Sequence, residues 1–143
     1  MRCAIGADDT GPLTDALLAE LERRGAAIAR YGALHDGSTH WAQTGRAVGA
    51  AVAGGEADLG IVCCWTGTGI AIAANKVPGV RAALCADAPT AEGARRWNDA
   101  NVLALSLRAT SPAVGLEILD AFVRTSVSDE PSDRREIAAV ESA

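Results

Sequence analysis

The chain opens on a short apolar run, RCAIGA (Arg2–Ala7), which Asp8, Asp9 and Gly11 cut off. A continuous run of that length predicts a buried strand. The period then changes. In PLTDALLAELERRG, Leu13, Leu17, Leu18 and Leu21 form one apolar face, Pro12 suits the first turn and Gly25 the end, so an amphipathic helix follows. AAIARYG predicts a second strand, and GALHDGSTH a polar loop. Trp41 to Ala53 predicts a helix that stops at Gly54 and Gly55. LGIVCC (Leu59–Cys64) predicts a third strand, followed by a glycine-rich turn and a short helix, Ile70 to Asn75. VRAALCA predicts the fourth strand, Ala88 to Trp97 a helix, and NVLALS (Asn101–Ser106) the fifth strand. Pro112 to Val123 predicts another helix. After the polar break SVSDEPSD comes a last one, Pro131 to Val140.

Continuously apolar strands alternating with helices imply a parallel sheet covered on both faces. Ligands of such sheets bind outside the carboxyl ends of the strands. The candidate positions are therefore Asp8 and Asp9, the loop from His35 to Trp41, Cys64 to Gly69, Cys85 to Asp87, and Ser106 to Arg108. No repeat or linker interrupts the pattern, so residues 1–143 are expected to form a single domain.

Composition narrows the reading. Aromatics make up 3% of the chain, so the core must rest on Ala, Val, Leu and Ile. A net charge of −5 argues against a nucleic-acid partner, because phosphates call for a basic surface. No apolar run approaches the roughly 20 residues of a membrane span. The N-terminus turns acidic too soon for a signal peptide, which points to the cytoplasm. Four cysteines without CxxC spacing and with two histidines predict free thiols, with no disulfide, no metal site and no cofactor.

The chemistry concentrates at Cys64. It precedes the turn Thr66-Gly67-Thr68-Gly69, whose glycines let backbone approach a ligand and whose following helix offers free N–H groups. Positive partial charge there favours a thiolate. Cys64 is then a base or nucleophile facing an oxyanion site, or else a small buried hydrophobe at a strand end. Asp8 and Asp9 either bind hydroxyls and exchange protons, or form a turn and cap ahead of Pro12. WNDAN (Trp97–Asn101) reads locally as turn chemistry. Neither GxxxxGK[ST] nor GxGxxG is present.

Together, GADD, AVAGGEADLGIVCCWTGTGIAIAANKVPGVRAALC and ARRWNDANVLALSLR resemble one family of sugar-phosphate isomerases, which comprises type B ribose-5-phosphate isomerase and the galactose-6-phosphate isomerase subunits. The resemblance runs from Arg2 to about Phe122. It implies an α/β fold, a Rossmann-like three-layer α/β/α arrangement with a five-stranded parallel sheet. It also implies a homodimer, often paired into tetramers, with the site at the subunit interface. The implied reaction interconverts an aldose and a ketose of a small sugar or sugar phosphate through an enediolate, without a metal. Cys64 falls on the proton-transferring cysteine. Thr66, Gly67, Thr68 and Gly69 fall on the loop that stabilises the enediolate. Asp8 falls on the family's Asp, which helps ring opening, and Asn98 on the Asn that follows the ring-opening His. Cys64, Asp8 and Thr66 are the implied catalytic residues.

The departures cluster in the site. Asp9 stands where the family has a His that contacts phosphate, and its carboxylate would repel a dianion. Trp97 replaces the ring-opening His, and an indole neither accepts nor supplies a proton. Trp65 replaces a glycine of the loop, and His40-Trp41-Ala42 replaces Asp-Tyr-Pro. The C-terminal phosphate arginines are reduced to Arg134 or Arg135, while Arg108 follows the fifth strand. The expected substrate-binding set is therefore Asp9, His40, Trp41, Trp65, Gly67, Thr68, Gly69, Trp97, Asn98, Arg108, Arg134 and Arg135. Tryptophans stack on sugar C–H faces or planar ligands; the alternative for these three is core or interface packing. The expectation is an isomerase or epimerase with a changed, less phosphate-dependent substrate. A partner subunit of a heteromeric isomerase and an ordinary ribose-5-phosphate isomerase are the alternatives.

Overall fold

The computed structural model describes residues 1–142. Its strands are β1 (Arg2–Ala7), β2 (Ala27–Gly32), β3 (Leu59–Cys64), β4 (Ala82–Leu84) and β5 (Val102–Ser106). Its helices are α1 (Pro12–Arg23), α2 (Trp41–Ala53), α3 (Thr68–Asn75), α4 (Ala88–Asn98), α5 (Pro112–Arg124) and α6 (Pro131–Glu141). Residue 143 lies outside the described residues. All strand pairs are parallel and the order is β2-β1-β3-β5-β4. This is the three-layer α/β/α sheet that the alternating pattern implies.

Side-chain alternation along each strand divides the core in two. Cys3, Ile5, Ile61, Cys63, Leu103 and Leu105 pack with α1, α4 and α5. Ala4, Val62, Cys64, Val102 and Ala104 pack with α2 and α3. The first face is built of large side chains and the second of small ones, so α2 sits close to the sheet. A Cβ at Gly6 would lie 2.6 Å from Thr44 Cγ2, and one at Gly60 2.8 Å from Val48 Cγ1. The helices touch as closely, since a Cβ at Gly45 would lie 2.6 Å from the Ile70 carbonyl oxygen.

The helix ends follow local chemistry. Pro12 begins α1, and Gly25 takes φ +70 just past its end. Asp87 caps α4 by accepting from the Thr90 N–H at 2.7 Å, and Ser111 caps α5 by accepting from Val114 N–H at 3.2 Å. The Thr90 donor holds the Asp87 carboxyl below its ordinary range. Several limits shift by one residue, and two elements differ from the sequence pattern by more. β4 covers Ala82–Leu84 where the apolar run Val80–Ala86 suggests more. The Val80 N–H turns back to Val77 O at 3.1 Å, and the Arg81 N–H goes to Asn101 Oδ1 at 2.8 Å, so neither donor is free for a longer ladder. α3 begins at Thr68, ahead of Ile70, because Gly67 in the left-handed region starts the helix directly after the turn. Among the described residues no helix is long and apolar enough to cross a membrane.

Candidate active site

Crossovers leaving β1 and β3 cover opposite faces of the sheet, so a crevice opens between the carboxyl ends of these neighbouring strands. Asp8 stands on one side and Cys64 on the other. Ala7 pairs with Cys63, and the Asp8 N–H donates to Cys63 O at 3.3 Å, which holds the two strand ends in register.

The adjacent cysteines have opposite surroundings. Cys63 is fully buried among the large side chains, and desolvation pushes its thiol up to about 12. Cys3 and Cys85 are likewise core thiols, raised by burial to about 12 and about 11. Cys64 turns to the small-residue face, at the end of the strand that leads into the glycine turn. Its carbonyl accepts from Gly67 N–H at 3.2 Å and Leu107 N–H at 2.9 Å, which fixes the backbone beneath the side chain.

The turn divides its donors. Gly67 takes φ +75, and a Cβ there would lie 2.5 Å from Leu84 Cδ1 and 3.0 Å from Leu105 O, so only glycine fits. Its N–H is used inside the turn, on Cys64 O. Gly67 therefore shapes the loop, and its amide is not among the donors offered to a ligand. Among the described residues the amides of Thr68, Gly69 and Ile70 have no partner, because the first helical bond is Ala71 N–H to Gly67 O at 3.3 Å. Ile70 is the donor that residue type could not reveal. The Thr66 and Thr68 hydroxyls pair at 2.7 Å beside these amides.

Asp8 is half-buried, and its Oδ1 is buried without a hydrogen-bond partner. Burial raises its pKa above the ordinary carboxyl value, the Asp9 charge adds to this, and its own backbone N–H opposes it. A raised carboxyl binds more protons folded than unfolded, so its contribution to stability is present below the unfolded pKa and is lost as pH rises through the folded one. Asp8→Asn should therefore raise the melting temperature at pH 7, and the gain should vanish as the pH falls below about 4. Thermal melts across pH 3.5–8 test this, and a pH-independent difference would refute it.

The other expected residues separate into two groups. Asp9, His40, Trp41, Trp65, Thr68 and Arg108 lie at the carboxyl edge. Asp9 is exposed and accepts from Thr10 N–H at 2.8 Å. His40 is exposed ahead of α2. Trp41 is 45% exposed, with its ring against Gly69, where a Cβ would lie 3.2 Å from Trp41 Cε3. Trp65 is 62% exposed; its carbonyl accepts from Ser106 Oγ at 2.9 Å and Arg108 N–H at 3.0 Å. Thr66 and Arg108 line a cleft of about 270 Å³ with Cys85 and Ser106.

Trp97 and Asn98 do not join this group. They end α4, which starts at the carboxyl edge, so they lie at the amino edge of the sheet. There they line an open groove of about 1010 Å³ with Lys76, Arg81, Ile137 and Glu141. The three tryptophans thus do not line one pocket within a single chain. Trp97 is 55% exposed, and core packing explains none of the three. Arg134 on α6 pairs with Asp129 ahead of the helix at 2.9 Å, and Arg135 is exposed and in no ion pair among the described residues.

A carboxylate and a thiol across a crevice, beside unused amides, can move a proton next to a carbonyl and hold the resulting oxyanion. Comparison with known proteins agrees with that class of chemistry. Residues 3–140 match the ribose/galactose isomerase family. The chain is 38% identical over 123 residues to ribose-5-phosphate isomerase B of Escherichia coli, covering 85% of this chain and 83% of that one. It is 34% identical over 142 residues to galactose-6-phosphate isomerase subunit LacB of Clostridium acetobutylicum, covering 99% and 82%. The structure of Clostridium thermocellum ribose-5-phosphate isomerase B superposes with a TM-score of 0.92 at 36% identity, covering 99% of this chain and 96% of that one. The chain belongs to the ribose/galactose isomerase family and is an isomerase.

Proposed function

We propose that this protein interconverts the aldose and ketose forms of a small sugar or sugar phosphate by proton transfer at Cys64. The thiolate removes the proton from C2 of the aldose, and the C–H electrons form the C1–C2 double bond as O1 becomes an oxyanion. The amides of Thr68, Gly69 and Ile70 face that oxyanion. The thiol returns the proton to C1 while the hydroxyl proton on O2 passes to O1, leaving a C2 ketone. The unpartnered Asp8 Oδ1 accepts from a substrate hydroxyl. The observation that carries this reading is the meeting of Cys64, Asp8 and the unused amides at one crevice.

A second copy completes the site in this reading. Trp97 and Asn98 lie at the far edge of the same sheet, where they serve a neighbour's crevice and not their own. The substrate is one whose phosphate matters less than in ribose 5-phosphate. Asp9 adds negative charge at the crevice, and Arg134 is already paired with Asp129. Trp97 cannot open a ring, so the favoured substrates are open-chain or already keto. A tetrose 4-phosphate fits, since its esterified O4 cannot close a five-membered ring. The likeness to a galactose-6-phosphate isomerase subunit favours, as a second reading, a role as one half of a two-chain enzyme. The likeness to ribose-5-phosphate isomerase B favours the ordinary activity as a third.

The test is hydrogen exchange in D2O with D-ribose, D-ribose 5-phosphate and D-erythrose 4-phosphate. Deuterium should enter at C2 of the aldose in the tetrose case fastest. Ribose 5-phosphate fastest would give the ordinary enzyme, and no exchange with any of them would remove the reading.

A further inference from the structure

We propose that Arg81 and Asp99 form a positioning clamp, which fixes the direction in which Trp97 and Asn98 project from the end of α4. The inference rests on the reading that these two residues serve a second copy's site.

Asp99 is the C-cap of α4 and takes φ 46 and ψ 43. Among the described residues it is the one non-glycine residue with positive φ. Helices commonly end through this conformation, but glycine adopts it without a Cβ penalty. An aspartate here accepts strain that a simple cap would avoid, and strained backbone that persists is over-determined by its surroundings.

Those surroundings are two guanidinium groups. Arg81 Nε donates to the Asp99 carbonyl at 2.7 Å, and Arg81 Nη2 to Asp99 Oδ2 at 3.2 Å. Arg95 Nη1 donates to Ala100 O at 2.5 Å and approaches Asp99 Oδ1 at 3.4 Å. The side chains of Arg81, Asp99 and Arg95 are 17%, 31% and 23% exposed, so solvent screens the cluster less than an open surface pair. Arg81 is itself anchored. Its N–H donates to Asn101 Oδ1 at 2.8 Å, and Asn101 Nδ2 donates to Gly79 O at 2.8 Å. It also bonds Glu141 near the end of α6, the helix that carries Arg134 and Arg135. One guanidinium thus ties together the end of α4, the approach to β4 and the end of α6.

The residues immediately before the clamp are the ones left exposed. Asn98 points outward, and the Trp97 ring rests on its own helix, where a Cβ at Gly93 would lie 2.8 Å from Trp97 Cζ3. A group that must reach across an interface is sensitive to small errors of direction, because a misplacement of about 1 Å can lower a rate about 100-fold.

The experiment compares Asp99→Gly, Arg81→Lys and Asn98→Ala in the full chain. It reads the melting temperature, kcat and KM on the fastest-exchanging aldose phosphate, and the order parameter of the Trp97 indole N–H by NMR. In Asp99→Gly the backbone strain disappears with the carboxylate. The expected result is an unchanged or higher melting temperature, a kcat/KM lowered by about tenfold or more, and a more mobile indole. Arg81→Lys keeps the charge but not the forked geometry, and should also loosen the indole and lower kcat/KM. Wild-type kinetics and indole order in Asp99→Gly would overturn the clamp, as would activity lost only in step with melting temperature. If Asp99→Gly does not fold, Asp99→Asn carries the same comparison, and wild-type values in it overturn the clamp. Asn98→Ala separates the two layers. An inactive Asn98→Ala beside a fully active Asp99→Gly leaves the shared site standing and removes the clamp. A fully active Asn98→Ala removes both.

Discussion

Cys64→Ala should lower turnover by about 1,000-fold, in the range that general acid–base groups contribute, while Cys63→Ala should leave turnover intact. The two positions differ by one residue and by everything around them. Strand alternation sends Cys63 into the layer of α1, α4 and α5, where it is fully buried and its thiol is raised to about 12. Desolvation there disfavours the thiolate, so its place is in the packing. Its truncation should cost about 1 kcal/mol of stability, an ordinary value for a small core deletion. Cys64 faces the opposite layer beside Asp8 and the unused amides of α3. Exchange of the C2 proton in D2O and thermal melts measure the two effects separately. Activity retained in Cys64→Ala, or lost in Cys63→Ala without loss of the fold, would show that the proton is moved elsewhere.

Trp65→Gly should change the ratio of kcat/KM between sugars of different length by about tenfold or more, since a contact that distinguishes substrates is worth about 1–3 kcal/mol. The melting temperature should move far less. The indole is 62% exposed, so most of its surface contributes nothing to packing. The backbone at this position is fixed through its carbonyl, which Ser106 Oγ and the Arg108 N–H both reach. Removing the ring leaves those bonds and, in the proposed site, widens the mouth of the crevice. Trp65→Ala controls for the added freedom of glycine. A lost fold with an unchanged substrate ratio would make Trp65 a structural residue.

Most of the scaffold was legible because its signals are local. Leu59–Cys64 and Arg2–Ala7 are continuous apolar runs because both faces of those strands are covered, and their limits match the structure. Trp41–Ala53 is bounded by a polar loop and two glycines, and it also matches. The larger misreadings lie where a glycine in the left-handed region starts α3 early and where a side chain takes a backbone donor from β4. Asn101 takes the Arg81 N–H and shortens β4, a bond between residues twenty apart that periodicity does not record. Of the candidate site, Cys64, Asp8 and the glycine turn could be placed from their positions after strands. The placing of Trp97 and Asn98 at the far edge could not be seen in the motif WNDAN, which carries no direction. It follows only once a helix is known to run back from the carboxyl edge. The duty of Gly67 was hidden for a similar reason, since a glycine's identity shows that backbone comes close but not whose oxygen its amide meets.

The small-residue layer beneath α2 and α3 limits how this enzyme can change. Gly6, Gly60 and Gly45 each stand within 2.8 Å, at their would-be Cβ, of an atom already in place. A larger side chain there would have to shift α2 against the sheet or against α3, so the layer that carries the crevice resists recutting to suit a new ligand. Novelty can enter only at the rim, where side chains extend into open space. Trp41 and Trp65 occupy such positions, and a lineage adopting a different sugar would have rewritten those two residues while leaving the foundation untouched.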